Sequence, residues 1–177
     1  IREITKLISK SKRPVILGGH GIKLSGAKNE FGKLVKQLKI PVLLSWSGID
    51  LLDNEDPYFF GRSGLYGQRS ANFILQNCDL LIVLGSRLAL PQTGYNIDDF
   101  VPNAKIIIVN NDKTELSKYR GKYHLVIQND CKLIIEKLLN INNIENKTEW
   151  IDKCNQIKKD YPWLEPQHYD FSILGSD

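Results

Sequence analysis

The sequence has no methionine, three cysteines, three histidines and no long apolar run. Each shortage excludes something. Cys78, Cys131 and Cys154 are odd in number, widely spaced and form no Cys-x-x-Cys pair, so neither a disulfide framework nor a zinc site is indicated. Such sparing thiol use fits a reducing cytoplasm, the expected compartment. No run approaches the roughly 20 apolar residues that span a bilayer. No signal peptide pattern is present either, and no membrane association is expected. His20, His124 and His168 are too scattered to build a Ser/His/Asp or Cys/His constellation. There is no P-loop and no metal-ligand set. The net charge is only +4 and the basic residues are dispersed, so a nucleic-acid partner is not expected. The chain opens on Ile1-Arg2-Glu3-Ile4, directly in a helical pattern. It is expected to be cut from something longer, with a processed mature protein as the alternative.

What is present is an ordinary globular composition, 42% hydrophobic and 25% charged, at a length that can bury a core without staples. Ile4, Leu7 and Ile8 share one face of a first helix. Arg13-Pro14-Val15-Ile16-Leu17-Gly18, a short apolar run bounded by Pro and Gly, reads as a buried strand. Ser25 is expected to cap a helix running to about Leu38. Strands are expected at 40–45, 79–85, 105–110 and, more weakly, 123–127. Helices are expected at 68–77, briefly after Asp112, after Asp130, and at about 148–160. The stretches 46–67 and 86–103 read as irregular.

The strands are continuous apolar runs, which is the pattern of a parallel sheet covered on both faces. Strands alternating with helices indicate an α/β fold: a doubly wound, mostly parallel, six-stranded Rossmann-like sheet flanked by helices. Residues 1–140 are expected to form this domain. Residues 141–177 are expected to form a helix and a Pro/aromatic linker, Tyr161-Pro-Trp-Leu-Glu-Pro166, that packs on a neighbouring domain.

Ligands in such folds bind beyond the carboxyl ends of the strands. Three places qualify. Gly18-Gly19-His20-Gly21 follows the first strand, where glycines allow close backbone approach and amides can meet phosphate. It is not the full G-x-G-x-x-G fingerprint, because Leu24 holds the third glycine position. A tight turn without ligand is the alternative, and His20 reads as a solvent-facing loop residue. Gly85-Ser86-Arg87 follows the most apolar strand; Arg87 suits either a phosphate clamp or a structural ion pair. Asn110-Asn111-Asp112 ends the next strand, where an acidic residue would meet ribose hydroxyls, although Asp112 also suits a helix cap. The carboxylates between Asp50 and Asp56 read as solvated.

Taken in order, these segments carry a resemblance. They are Arg-Pro-Val-Ile-Leu-Gly-Gly-His-Gly at 13–21, Ile-Pro-Val-Leu-Leu-Ser-Trp at 40–46 and Asp-Pro-Tyr-Phe-Phe-Gly at 56–61. Gly-Leu-Tyr-Gly-Gln-Arg-Ser-Ala-Asn at 64–72, Asn-Cys-Asp-Leu-Leu-Ile-Val-Leu-Gly-Ser-Arg at 77–87 and Gln-Thr-Gly at 92–94 follow. Together they resemble the central domain of thiamine-diphosphate-dependent enzymes of the acetolactate synthase type, over residues 1 to about 140. The resemblance implies a parent with three α/β domains, whose outer two hold thiamine diphosphate and Mg²⁺ across a subunit interface. It implies a homodimer or homotetramer, flanking domains as partners, and chemistry on 2-oxo acids that makes or breaks a carbon–carbon bond. The fragment alone is then expected to be inactive. In acetolactate synthases this domain carries FAD. Transferred residue by residue, FAD contacts would fall on Gly18, Gly19, Gly21, Ser45, Trp46, Leu65, Tyr66, Gly67, Gly85, Ser86, Arg87, Asn110, Asn111 and Asp130.

The chain departs from the flavin-binding pattern. Ala89 and Asn110 stand where acidic residues are usual, and Pro91 and Gln92 where an arginine and a valine are. Losing a carboxylate partner for a ribose hydroxyl removes a charge-assisted hydrogen bond of about 1.5–3 kcal/mol. The departures resemble enzymes that are synthase-like rather than acetolactate synthases proper, some tied to sugar or surface-polysaccharide pathways. Two other readings stand beside this one. One is a structural interface module that binds nothing. The other is an independent dinucleotide-binding protein related to sirtuins or electron-transfer flavoproteins; sirtuins would need a catalytic histidine motif and usually a zinc site, and neither is seen.

Overall fold

Five of the apolar runs, and one segment read as irregular, become the strands of a single sheet. The structure is a computed structural model that describes residues 1–118, 121–141 and 144–164. In chain order, α1 (Arg2–Lys10) leads to β1 (Pro14–Gly18), α2 (Gly21–Leu24), α3 (Lys28–Leu38), β2 (Val42–Leu44) and β3 (Phe59–Arg62). Then come α4 (Arg69–Asn77), β4 (Leu80–Leu84), α5 (Leu90–Thr93), β5 (Lys105–Asn110) and α6 (Lys113–Ser117). The described chain ends with β6 (Leu125–Gln128), α7 (Cys131–Leu139) and α8 (Thr148–Asp160). The strand order is β3-β2-β1-β4-β5-β6 and every pairing is parallel, so the sheet is wholly rather than mostly parallel.

The winding follows from the pleat. Alternate residues of a strand face opposite sides, and in the central strands both sides are buried. Ile16, Ile82 and Ile107 share a core with Ile4 and Ile8 of α1, Phe31 and Leu34 of α3, and Ile134 and Ile135 of α7. Val15, Leu17, Leu81 and Val83 face Ala71 and Ile74 of α4 and Trp150, Cys154 and Ile157 of α8. Helices thus cover both faces, and the chain reverses its winding direction between β1 and β4. That reversal is the point where ligands settle in open α/β sheets.

Some local expectations are corrected. The helix expected from Ser25 begins only at Lys28, and a separate short helix, α2, ends just before Ser25. Gly26 at φ +70° breaks the chain between them, and Ser25 Oγ donates back to the Ile22 carbonyl at 2.9 Å instead of capping forward. Strand β3 lies inside the stretch read as irregular; Gly61 at φ +106° and its shifted register with β2 disguise it. The sixth strand begins at Leu125, two residues later than expected, and exposes alternate residues as an edge strand does.

Helix α8 is part of the core. Trp150 is buried and its Nε1 donates to the Pro14 carbonyl at 3.1 Å. The tail aromatics also pack on this domain: the Trp163 ring meets Phe59 at 5.5 Å and Tyr161 meets Phe73 at 4.6 Å. Glu165 and Pro166 of that segment lie outside the described residues. Among the described residues, no helix is long and apolar enough to cross a membrane.

Candidate binding site at the sheet's carboxyl edge

The turn after β1 and the turn after β4 cross each other at backbone distance. Gly19 N donates to the Leu84 carbonyl and Gly21 N to the Gly85 carbonyl, both at 2.9 Å. A methyl at Gly19 would stand 2.4 Å from Gly85 O, and one at Gly21 2.8 Å from Gly85 Cα. Gly85 itself sits at φ +62°, a region that favours glycine. Gly18 is buried, and its methyl would meet Leu44 Cδ2 at 2.9 Å. Gly19, Gly21 and Gly85 are therefore required by the contact between two loops, and Gly18 by the packing of Leu44 and Phe31. The Gly19 and Gly21 amides, expected to be open to phosphate, already have carbonyl partners.

That crossing forms the floor of a cavity of about 900 Å³. Of the residues singled out from the sequence, Gly21, Ser45, Trp46, Leu65, Tyr66, Gly85, Ser86, Arg87, Asn110 and Asn111 line it. Gly18, Gly19, Gly67 and Asp130 do not. Gly67 closes a turn, its amide donating to Gly64 O at 3.0 Å. Asp130 caps α7 by accepting from the Lys132 amide at 2.7 Å. His20 is half-buried rather than solvent-facing: it lines the cavity, and Nδ1 lies 2.9 Å from the Ser47 carbonyl. Of the carboxylates read as solvated, Asp50 is exposed but paired with Lys23, and Asp56 is half-buried and accepts from the Tyr58 amide.

The walls are apolar and aromatic. Trp46 and Tyr66 meet edge to face at 6.3 Å, yet remain 63% and 70% exposed. The Arg62 guanidinium lies 5.4 Å from the Trp46 ring centroid. Leu24 and Leu65 are also exposed on this rim. The arch bearing Leu65 and Tyr66 is clipped to the loop after β4. Leu65 N donates to Pro91 O at 2.7 Å, and Gln92 Nε2 donates to Ser63 Oγ at 2.7 Å. Asn72 holds it from below, accepting from Gly64 N at 2.8 Å.

A polar wall is made by β5 and α6. Asn110 is buried; its Nδ2 donates to Ser86 O at 3.3 Å and its Oδ1 accepts from Asp112 N at 3.0 Å. Asp112 caps α6 through the Thr114 and Glu115 amides. Arg87 forms the ion pair that was one of its two readings: Nε and Nη2 donate to Glu115 Oε1 at 2.9 and 2.6 Å, while Lys118 Nζ closes on Oε2. Burial pushes the Glu115 carboxyl up, but the bonds from Arg87 and Lys118 outweigh it and hold the pKa below its ordinary value. Sequence reasoning missed Leu24, Arg62, Ser63 and Glu115 as lining residues. Arg62 ends, and Ser63 follows, the strand that was read as irregular, and Glu115 meets Arg87 across 28 residues, beyond any local pattern.

Residues 1–138 match the family described as Thiamine pyrophosphate enzyme, central domain. The chain belongs to that family. This central domain is similar to a probable acetolactate synthase large subunit of Methanococcus aeolicus, 36% identical over 171 residues, which cover 90% of the chain and 28% of the relative. It is 34% identical over 181 residues to the acetolactate synthase large subunit of Cyanidium caldarium, covering 98% of the chain and 30% of that protein. Against the acetolactate synthase isozyme 2 large subunit of Escherichia coli K12 it is 26% identical over 163 residues, 92% of the chain and 29% of that protein. The central domain thus spans less than a third of the length of these relatives.

Proposed function

We propose that this chain is the non-catalytic central domain of a thiamine-diphosphate- and Mg²⁺-dependent enzyme of the acetolactate synthase type, and that its strand-end cavity holds FAD. The intact enzyme, read as a cytoplasmic homodimer or homotetramer, makes or breaks a carbon–carbon bond beside the carbonyl of a 2-oxo acid. The carrying observation is the cavity itself: about 900 Å³ at the β1/β4 reversal, walled by Trp46 and Tyr66. Pockets of this size enclose a drug-sized or larger ligand.

The residues present fit a flavin dinucleotide. Trp46 and Tyr66 offer faces for a flat ring, and Arg62 and Arg87 offer charge for a pyrophosphate. Asp112, two residues beyond Asn110, keeps a carboxylate near the position for ribose hydroxyls. FAD bound here would be largely structural, while the thiamine diphosphate ylid would supply the nucleophile. Mg²⁺ and thiamine diphosphate are assigned to the flanking domains, as the resemblance to the acetolactate synthase type implies.

A ligand-free interface module is the second reading. It is favoured by the amides of Gly19 and Gly21 and the Asn110 side chain, which are engaged internally. The two separate in a titration of FAD followed by flavin fluorescence. Saturable quenching supports the cofactor reading; an unchanged signal into the millimolar range supports the module. Pyruvate consumption by the 177-residue chain with thiamine diphosphate and Mg²⁺ would overturn the assignment of catalysis to other domains.

A further inference from the structure

We infer that Glu115 is a positioning residue for this cavity: it grips one edge of the Arg87 guanidinium from behind and turns the other edge toward a phosphate of the bound ligand. The inference rests on the cofactor reading above and goes beyond it by assigning the residue that orients the arginine.

The asymmetry of the pair carries the argument. The Glu115 side chain is 6% exposed and the Arg87 side chain 72% exposed, although their nitrogen and oxygen atoms are 2.6 Å apart. The carboxylate is buried at the base of the cavity wall, and the guanidinium is exposed to the cavity. A surface ion pair between two mobile side chains contributes little. A buried carboxylate, by contrast, must be paired, and it holds its partner in a defined place. Both bonds from Arg87 use Nε and Nη2 on a single oxygen, Oε1. The remaining N–H donors of the planar fork lie on its other side, in the arrangement that meets two phosphate oxygens at once.

Lys118 on Oε2 completes the design. Two cations share one buried carboxylate, and Asp112 on the same wall offsets the remaining positive charge. Asp112, the other carboxylate on the cavity, has Oδ1 engaged by the Thr114 and Glu115 amides. A guanidinium already fixed by Glu115 loses less freedom on binding than a free one, which is the source of the affinity gain.

The reasoning makes a prediction about sign. If Glu115 were only a negative charge near an anion, removing it would tighten binding. If it positions Arg87, removing it loosens binding. The test is a FAD titration of the full chain carrying Glu115→Gln, Arg87→Ala or both, at several ionic strengths, with thermal unfolding of each variant alongside. Each single variant is expected to weaken FAD binding by roughly tenfold to a hundredfold, the range of a charge-assisted hydrogen bond. Both should flatten the salt dependence of binding. The double variant should bind no more weakly than Arg87→Ala, because Glu115 acts through Arg87. Additive losses, or tighter binding by Glu115→Gln, would overturn the inference while leaving the cofactor reading intact. A wild-type chain that binds no FAD would overturn both. Should Glu115→Gln fail to fold, Arg87→Lys takes its place, keeping the charge without the fork. A tenfold or greater loss there supports the role, and wild-type affinity removes it.

Discussion

Replacing Gly19 by alanine tests what the glycine turn is for. The methyl would enter at 2.4 Å from Gly85 O and 2.6 Å from Ser86 Cα, both backbone atoms with no rotamer to change. The two turns must move apart, and the paired bonds Gly19 N to Leu84 O and Gly21 N to Gly85 O, each 2.9 Å, stretch with them. Overpacking costs about 1–3 kcal/mol and each of the two weakened bonds about 0.5 kcal/mol, so a total loss of about 2–4 kcal/mol is expected. Gly32→Ala is the control. It lies within α3, nothing stands within 4 Å of its added methyl, and a gain of about 0.5–1 kcal/mol is expected from helix propensity. The assay is urea unfolding of the chain without ligand. Gly19→Ala should lower the midpoint by about 1–2 M with an unchanged slope. A wild-type midpoint for Gly19→Ala would refute the reasoning, and would mean that the glycine serves a ligand rather than the loop crossing.

Other expectations concern the rest of the domain. Burial raises the Asp79 carboxyl, but bonds from Ser11 Oγ and the Lys12 and Arg13 amides outweigh this and lower its pKa. Its stabilisation is therefore complete above the ordinary aspartate value and is lost as pH falls through the lower folded-state value. Asp79→Asn should flatten the acid limb of a stability–pH profile, and an unchanged limb would contradict the assignment. Cys78 and Cys131 are buried and pushed up to about 12, and Cys154 is raised further still. A thiol reagent at pH 8 should therefore titrate none of the three in the native chain and all three in urea. Ending the chain at residue 140 removes Trp150, Cys154 and Ile157 from one face of the core. That truncation should bind a hydrophobic dye and lose its cooperative unfolding transition; a cooperative, dye-free fragment would make α8 dispensable.

Residue type alone revealed the strands most deeply buried. The runs at β1, β4 and β5 are apolar on both faces because helices cover both sides, so they stand out without any pairing information. The strand at 59–62 was hidden for the opposite reason. It is four residues long, contains Gly61, and gains its identity from pairing with β2. Ser25 was misread because a cap preference is local, whereas Gly26 at φ +70° reflects the path of the whole turn. At the site, strand-end position was enough to point to Gly85, Arg87 and Asn110, since parallel strands end on one edge. It could not separate a glycine that admits a ligand from one that admits another loop. It also gave no sign of Glu115, whose relation to Arg87 exists only once β4 and β5 lie side by side.

The account turns on whether the carboxyl-edge cavity is a cofactor site. The most direct measurement is calorimetric titration of FAD into the wild-type chain and into Trp46→Ala. One site per chain, saturating below about 0.1 mM and weakened at least tenfold by loss of the indole face, is the expected result. No saturable heat up to about 1 mM, or equal binding by both proteins, would contradict it.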